Sequence, residues 1–196
     1  MTPRLQILAS ARVRVYNKRN GEGQIVIATS WCRGSRAYTS QTKGTVVTIG
    51  NFDGVHLGHR ALLTRAKACA LDLQTSTCVY TLDPPPMRVL KPHSFTPRLQ
   101  SLPEKVSTLR SFGIEEVVVE QFDDAFSNLS ARDFACEILG SRLNAKAIVV
   151  GWNFRFGKGR LGTLADLEQW LGVPVHGLEP VIMGGESVSS SRIRHL

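Results

Sequence analysis

The first 44 residues of this chain almost lack acids: eight Lys or Arg (Arg4, Arg12, Arg14, Lys18, Arg19, Arg33, Arg36, Lys43) stand against one carboxylate, Glu22. Of the 24 basic and 16 acidic residues in all, the others fall after that point, so the formal charge of +8 is concentrated in a leader and the remainder is nearly neutral. That distribution argues against a basic nucleic-acid surface on the folded part. No apolar run approaches the roughly 18 residues that a membrane-spanning helix needs. The four cysteines (Cys32, Cys69, Cys78, Cys136) have no short pairing interval and no accompanying histidine cluster. This excludes a zinc ribbon and fits a reduced, intracellular protein. What the chain does have is apolar content: 196 residues with 42% hydrophobic and 20% charged side chains suit one domain with a real core, plus a tail.

Up to Lys43 the sequence is rich in Arg, Ser and Thr, the composition of an organellar transit peptide. Leu5, Leu8, Ala9, Val13 and Tyr16 fall at roughly helical spacing with arginines between them, while Ile25–Ala28 could equally be a short strand. A structureless extension without an address and an arm for nucleic acid or an acidic partner are the competing readings. The expected organisation is a leader over residues 1–43 and one domain over 44–196. The expected location is a plastid or mitochondrion if the leader is a transit peptide, and the cytoplasm otherwise.

The body alternates strand and helix patterns. Gly44-Thr-Val-Val-Thr-Ile49 is a β-branched run bounded by glycine. Leu57 to Leu73 is helical, with Leu62, Leu63, Ala66, Ala70 and Leu73 on one side. Thr75–Leu82 is a second strand, and Asp83-Pro-Pro-Pro86 predicts a rigid loop after it. Ser101 and Glu104 have capping-box spacing and open a helix that closes at Gly113. Val117–Glu120 is a third strand, Ser130-Ala-Arg-Asp133 starts another helix, and Ala147–Val150 is a fourth strand. A helix over 163–172, a fifth strand over 173–178, a hairpin about Gly184-Gly185 and a last helix from Val188 complete the chain. This order predicts an α/β, Rossmann-like open sheet, mostly parallel, with helices on both faces and ligands at the carboxyl ends of its strands.

The unusual segments follow those ends. Gly50-Asn-Phe-Asp-Gly-Val-His-Leu-Gly-His59 runs into the first helix, and the N–H groups at a helix N-terminus seat phosphate. His56 and His59, three apart, can lie on one side of the first turn. Gly151-Trp-Asn-Phe-Arg-Phe-Gly-Lys-Gly-Arg-Leu-Gly162 combines aromatics, an amide and cations with glycines, as a loop around a planar phosphorylated ligand requires. Val188-Ser-Ser-Ser-Arg-Ile-Arg194 offers hydroxyls, N–H groups and a guanidinium for phosphate oxygens. Together the segments point to nucleotidyl transfer, in which an ionised acceptor phosphate needs no general base. The task is then alignment of two phosphates and neutralisation of charge at the α-phosphate and departing pyrophosphate, with Mg²⁺ screening the polyphosphate.

His56-Leu-Gly-His59 matches the HxGH signature of the nucleotidylyltransferase superfamily. With Gly50–His59, Asp83–Pro86, Phe95-Thr-Pro97, Gly151–Gly162 and Val188–Arg194, the chain resembles prokaryotic-type FAD synthetase (FMN adenylyltransferase) over residues 45–194. The resemblance implies FMN + ATP → FAD + pyrophosphate with Mg²⁺. It implies catalytic roles for His56, His59, Asn153, Ser190 and Arg194, and an ATP site of Gly50, Phe52, Gly54, His56, His59, Ser189, Ser190, Ser191 and Arg194. It also implies FMN contacts from Asn51, Asp53, Asp83, Pro84, Asn153, Phe154, Phe156 and Gly157, with Asn51 and Asp53 as FMN-phosphate or metal contacts. The metal ligands stay unassigned, as does the oligomeric state, and no nucleic-acid or membrane partner is expected. Pro85 stands where the family usually has His, and Ser191 where it commonly has Thr. The family's riboflavin kinase module is not expected here, because the chain stops two residues after Arg194. The alternatives are a flavin- or nucleotide-binding remnant and an HxGH enzyme for another phosphorylated acceptor. For the leader, a reporter fused to residues 1–44 is expected to enter an organelle. Retention in the cytosol would remove the transit reading.

Overall fold

The fold is given by a computed structural model, which describes residues 18–19, 25–26, 31–38, 43–94 and 97–195. A six-stranded parallel sheet runs through it, made of β1 (Cys32–Arg33), β2 (Thr45–Ile49), β3 (Ser76–Leu82), β4 (Glu116–Glu120), β5 (Ala145–Gly151) and β6 (Val175–Leu178). Their order across the sheet is β1-β4-β3-β2-β5-β6. β2 is buried along its whole length: Val47 and Ile49 enter the core on one face and Val46 on the other. Two-sided burial is why the run shows no polar alternation. The chain proceeds from β2 outward to β3 and β4, then crosses back to β5 and β6. The switch in direction lies between β2 and β5, where the loops leaving the two strands part and open a crevice.

Helices cover both faces, and the expected α/β architecture is what the chain adopts. On one face α1 (Leu57–Asp72) packs Ala66, Cys69 and Ala70 on Val46, Ala147 and Val149. After α2 (Pro86–Leu90), α3 (Leu102–Ser111) lies on the same face, with Val106 and Leu109 against Val79, Val117 and Val119. α4 (Asp124–Ser127) precedes α5 (Ala131–Asp133), which continues as a π-helix over Phe134–Arg142. That segment and α6 (Leu164–Leu171) cover the other face, burying Phe134, Ile138, Leu139 and Leu167 with Val47, Cys78 and Ile148. A hairpin of β7 (Ile182–Met183) and β8 (Glu186–Ser187) leads into α7 (Ser190–Ile193). Both Ser101/Glu104 and Thr163/Asp166 form reciprocal capping boxes. Among the described residues no helix is long and apolar enough to cross a membrane.

Three differences from the sequence reading have physical causes. The rigid loop expected through Pro86 ends one residue early, because Pro86 is the first residue of α2, where a missing N–H costs nothing. Leu73, placed by periodicity on the apolar side of α1, is exposed because the helix has already ended. Two residues ahead of Lys43 also join the sheet: β1 pairs Cys32 with Val118 and Arg33 with Val119. Ile25–Val26 is a strand, paired with Lys18–Arg19, whereas the helical spacing over 5–16 lies outside the described residues.

β1 and the turn after it are held by two carboxylates, half-buried Glu120 and buried Glu116. Glu120 accepts from the Ser35 N–H and the Tyr80 hydroxyl, each at 2.9 Å, and Arg142 donates to Ser35 Oγ at 3.0 Å. The Tyr38 hydroxyl donates to Glu116, which also takes the Ser76 hydroxyl. A chain beginning at Gly44 leaves these acceptors short of partners. It is expected to unfold at lower temperature than the full chain, with a loss of about 2–3 kcal/mol measured by thermal or urea unfolding.

Candidate active site

The loop from Gly50 to His56 leaves β2 in a shape that L-residues rarely adopt. Phe52 has φ +48° and Val55 φ +38°, and both side chains are fully buried with Leu63, Val106 and Leu109. A β-branched residue in that region is strained, so the burial of the two side chains holds the loop shape. Its product is the position of the histidines. His56 occupies the N-cap position of α1 without a capping hydrogen bond from its side chain, and His59 follows one turn later. Their rings stack with centroids 3.7 Å apart and an interplanar angle of 19°, and Phe52 lies 5.0 Å from His59. Nδ1 of each ring is buried without a hydrogen-bond partner, leaving Nε2 for a ligand. Burial lowers the pKa of His59 to about 3, with the neighbouring His56 and Lys105 adding to the fall. His56 is also lowered by burial, against the opposing pull of Asp53. Lowered in this way, the rings favour the neutral form at physiological pH, in which each can donate one N–H without carrying charge.

The histidines open on a cavity of about 280 Å³ at the switch between β2 and β5. His56, Gly58, His59 and Leu62 form one wall, and Gly151, the last residue of β5, with Trp152 and Asn153 after it, another. Leu178–Val181, from the last residue of β6 onward, and Ser187–Ser189, before α7, close it. No side chain caps the N-terminus of α1, whose free N–H groups lie beside this space.

The predicted residues sort into those that line the cavity and those that hold its walls. His56, His59, Asn153 and Ser189 line it. Gly50 ends β2 and donates its N–H to Tyr80 O at 3.2 Å, while the Asn51 carbonyl accepts from Thr81 Oγ1. Gly54, at φ +82°, passes so near Leu99 that a Cβ would lie 2.8 Å from its Cδ1. Asp53, expected as an FMN-phosphate or metal contact, is 7% exposed and already engaged. Its carboxylate accepts from the N–H groups of Leu99 (2.9 Å) and Gln100 (3.2 Å) and pairs with Arg194, and its carbonyl accepts from Ser190 Oγ at 2.7 Å. Arg194 also donates from Nε to Pro97 O at 2.7 Å. Ser190 and Arg194 thus seat α7, and Ser189 caps it by accepting from Arg192 N–H. Ser191 is exposed on the same turn. Asp83 pairs with Arg98 at 2.7 Å, and a cis peptide joins it to Pro84. Phe95 and Thr96 of the Phe95-Thr-Pro97 motif lie outside the described residues.

In the second loop the rings divide. Trp152 is 54% exposed at the cavity, whereas Phe156 is turned into the core against Phe134 and Trp170, and Phe154 stacks on it at 5.7 Å. Phe156 therefore anchors the loop. Gly157, at φ +72°, passes so close to α5 that a Cβ would lie 2.5 Å from the Ala131 backbone. The sequence reading missed Leu178–Val181, whose signal was only their place at a strand end. It also missed Arg192, which pairs with Glu186 at 2.9 Å and ties α7 to the hairpin.

Comparison with known proteins agrees with the arrangement. The family model for FAD synthetase matches residues 38–192. The chain belongs to the FAD synthetase family. Curated relatives named bifunctional riboflavin kinase/FMN adenylyltransferase include one from Pseudomonas fluorescens, 34% identical over 83% of this chain and 53% of its own length. Another, from Escherichia coli K12, is 34% identical over 78% of this chain and 50% of its own. A protein of Geobacillus thermodenitrificans is 36% identical over 78% of this chain and 82% of its own length. The chain thus spans about half the length of most of these FAD synthetase relatives. A solved structure described as a macrolide-efflux protein from Streptococcus pneumoniae superposes with TM-score 0.74 at 28% identity, covering 83% of this chain and 55% of that one. The resemblance carried by His56-Leu-Gly-His59 and its companion motifs is borne out at the level of the family.

The electrostatics of the paired rings give a direct test. A buried imidazole whose pKa is lowered to about 3 stays neutral throughout the physiological range. The His59 ring resonances in a ¹H–¹⁵N titration are expected to stay flat between about pH 5 and about pH 8, where an exposed histidine would protonate.

Proposed function

We propose that this chain transfers AMP from ATP to FMN. A phosphate oxygen of FMN attacks the α-phosphorus, the new P–O bond gives FAD, and the bond to the β-phosphate breaks to release pyrophosphate. The observation that carries this reading is the stacked, neutral His56–His59 pair opening on the cavity at the N-terminus of α1. Donors of that kind, held rigid before the reaction, stabilise charge that develops on the α-phosphate and the leaving group. The attacking phosphate is already ionised, so the reading asks for no general base, and alignment supplies the rest of the rate.

The nucleotide takes the space between the two histidines, Ser189 and the Leu178–Val181 segment, with its phosphates toward α1. Asn153, on the opposite loop, meets the acceptor side, and Trp152 offers a flat surface there. Ser190 and Arg194 act through α7: they seat the helix whose cap reaches the cavity. Gly54 and Gly157 give the two loops their approach, and Phe52, Phe154 and Phe156 hold them. Mg²⁺ enters with the ATP, as part of the substrate.

The full chain incubated with MgATP and FMN is expected to form FAD and pyrophosphate. His56→Ala and His59→Ala are each expected to lower kcat by ~10²–10³-fold with the fold intact. Binding of FMN and ATP without turnover would replace the enzyme reading with a binding role. Turnover on a different phosphorylated acceptor alone would replace the substrate.

A further inference from the structure

One buried cation lies outside every motif described so far. Lys105, on α3, is 2% exposed, and among the described residues its only hydrogen bond is a long one, 3.5 Å, to Thr81 Oγ1. Thr81 in turn donates to the Asn51 carbonyl, so the ammonium lies beneath the loop that carries the histidines. The charges acting on it are Asp53 in that loop and Asp83 after β3, with Arg98 opposing. Asp53 is itself paired with Arg194, and Asp83 with Arg98. The result is an alternating sequence of charge, Arg194–Asp53–Lys105–Asp83–Arg98, with three cations against two carboxylates.

The outer four members come from α7, the first loop, the turn after β3 and the segment before α3. Lys105 alone stands on a helix anchored in the core, beside buried Val106. Each carboxylate already has an arginine, and a methionine would fill the same space without the desolvation that a buried ammonium suffers. Packing therefore does not require the charge.

We infer that Lys105 is a positioning residue for the transfer site: its buried charge holds Asp53, which seats α7, and Asp83, at the proline turn after β3, in one frame. The inference rests on the proposed reaction for its meaning, although its effect on MgATP binding does not need turnover. Burial lowers the pKa of Lys105 to about 8, Arg98 adding to the fall while Asp53 and Asp83 oppose it. The charge is present below that pH and lost above it. The other groups around it are Asp53, Asp83, Arg98 and, from α1, His59. His59 is already neutral in that range. The frame accordingly loosens as pH rises through about 8.

The test uses the full chain, Lys105→Met and Lys105→Arg, with thermal unfolding, calorimetric MgATP binding and FAD formation followed between about pH 6.5 and about pH 9.5. Lys105→Met is expected to melt close to the wild type yet to bind MgATP about tenfold more weakly at neutral pH. The wild type should lose MgATP affinity through about pH 8, whereas Lys105→Arg, permanently charged, should hold its affinity across the range. Wild-type affinity in Lys105→Met, or the same alkaline profile in wild type and Lys105→Arg, would overturn the inference. If neither variant folds, a wild-type affinity that is flat through this range overturns it, and a fall there supports it. Failure to form FAD while MgATP binding keeps its alkaline fall would sink the reaction and leave the role of Lys105 standing.

Discussion

Asp53 collects the segments around the cavity onto one side chain. Its carboxylate takes two backbone N–H groups from the segment before α3 and the guanidinium of Arg194, while its carbonyl takes the hydroxyl of Ser190. A carboxylate this deeply buried has to be satisfied, and each of its partners is fixed in place by satisfying it. α7 has only four helical residues, far too few to be stable alone, so its seat beside the histidines depends on that anchorage. Ser189 reaches the cavity because Ser190 and Arg194 are tied to a loop more than 130 positions earlier in the chain.

The same loop carries the strain of the site. Phe52 and Val55 sit at positive φ, a conformation costing on the order of 1–3 kcal/mol each, and it persists because both side chains are buried in the core beneath α3. The first-loop glycines are thus only part of the turn. The rest is apolar anchorage that sets where α1 begins, and hence where the stacked imidazoles and the free N–H groups of its first turn stand. Burial of these rings also decides their chemistry, since it keeps them neutral and suits them to donate hydrogen bonds to phosphate without carrying charge.

Much of this was legible in the chain. The β-branched runs with no polar alternation marked strands buried on both faces, the capping spacing at Ser101 marked a helix start, and the glycine-flanked histidines stood at a strand end where parallel sheets bind ligands. Less legible was the division of labour within each motif. Phe156 and Trp152 belong to one aromatic loop, and nothing local says that one ring is core and the other faces the cavity. Arg194 read as a phosphate contact from its charge at a serine-rich helix start, and Asp53 as a ligand contact from the family resemblance, yet the two are each other's partners. β1 escaped notice because two residues carry no periodicity and their neighbours have the composition of a leader.

The sequence by itself determined the alternation of strands and helices after Gly44, the family, and the two glycine-rich loops that border the cavity. Those features rest on local propensity, turn chemistry and spacing, all of which act between residues a few positions apart. Only the tertiary structure decided which side chains face the cavity, that residues after β6 complete it, and that Lys105 lies buried under the first loop between two carboxylates. Burial and charge pairing are settled by neighbours distant in the chain. Such contacts exist only once the sheet has brought its carboxyl ends together.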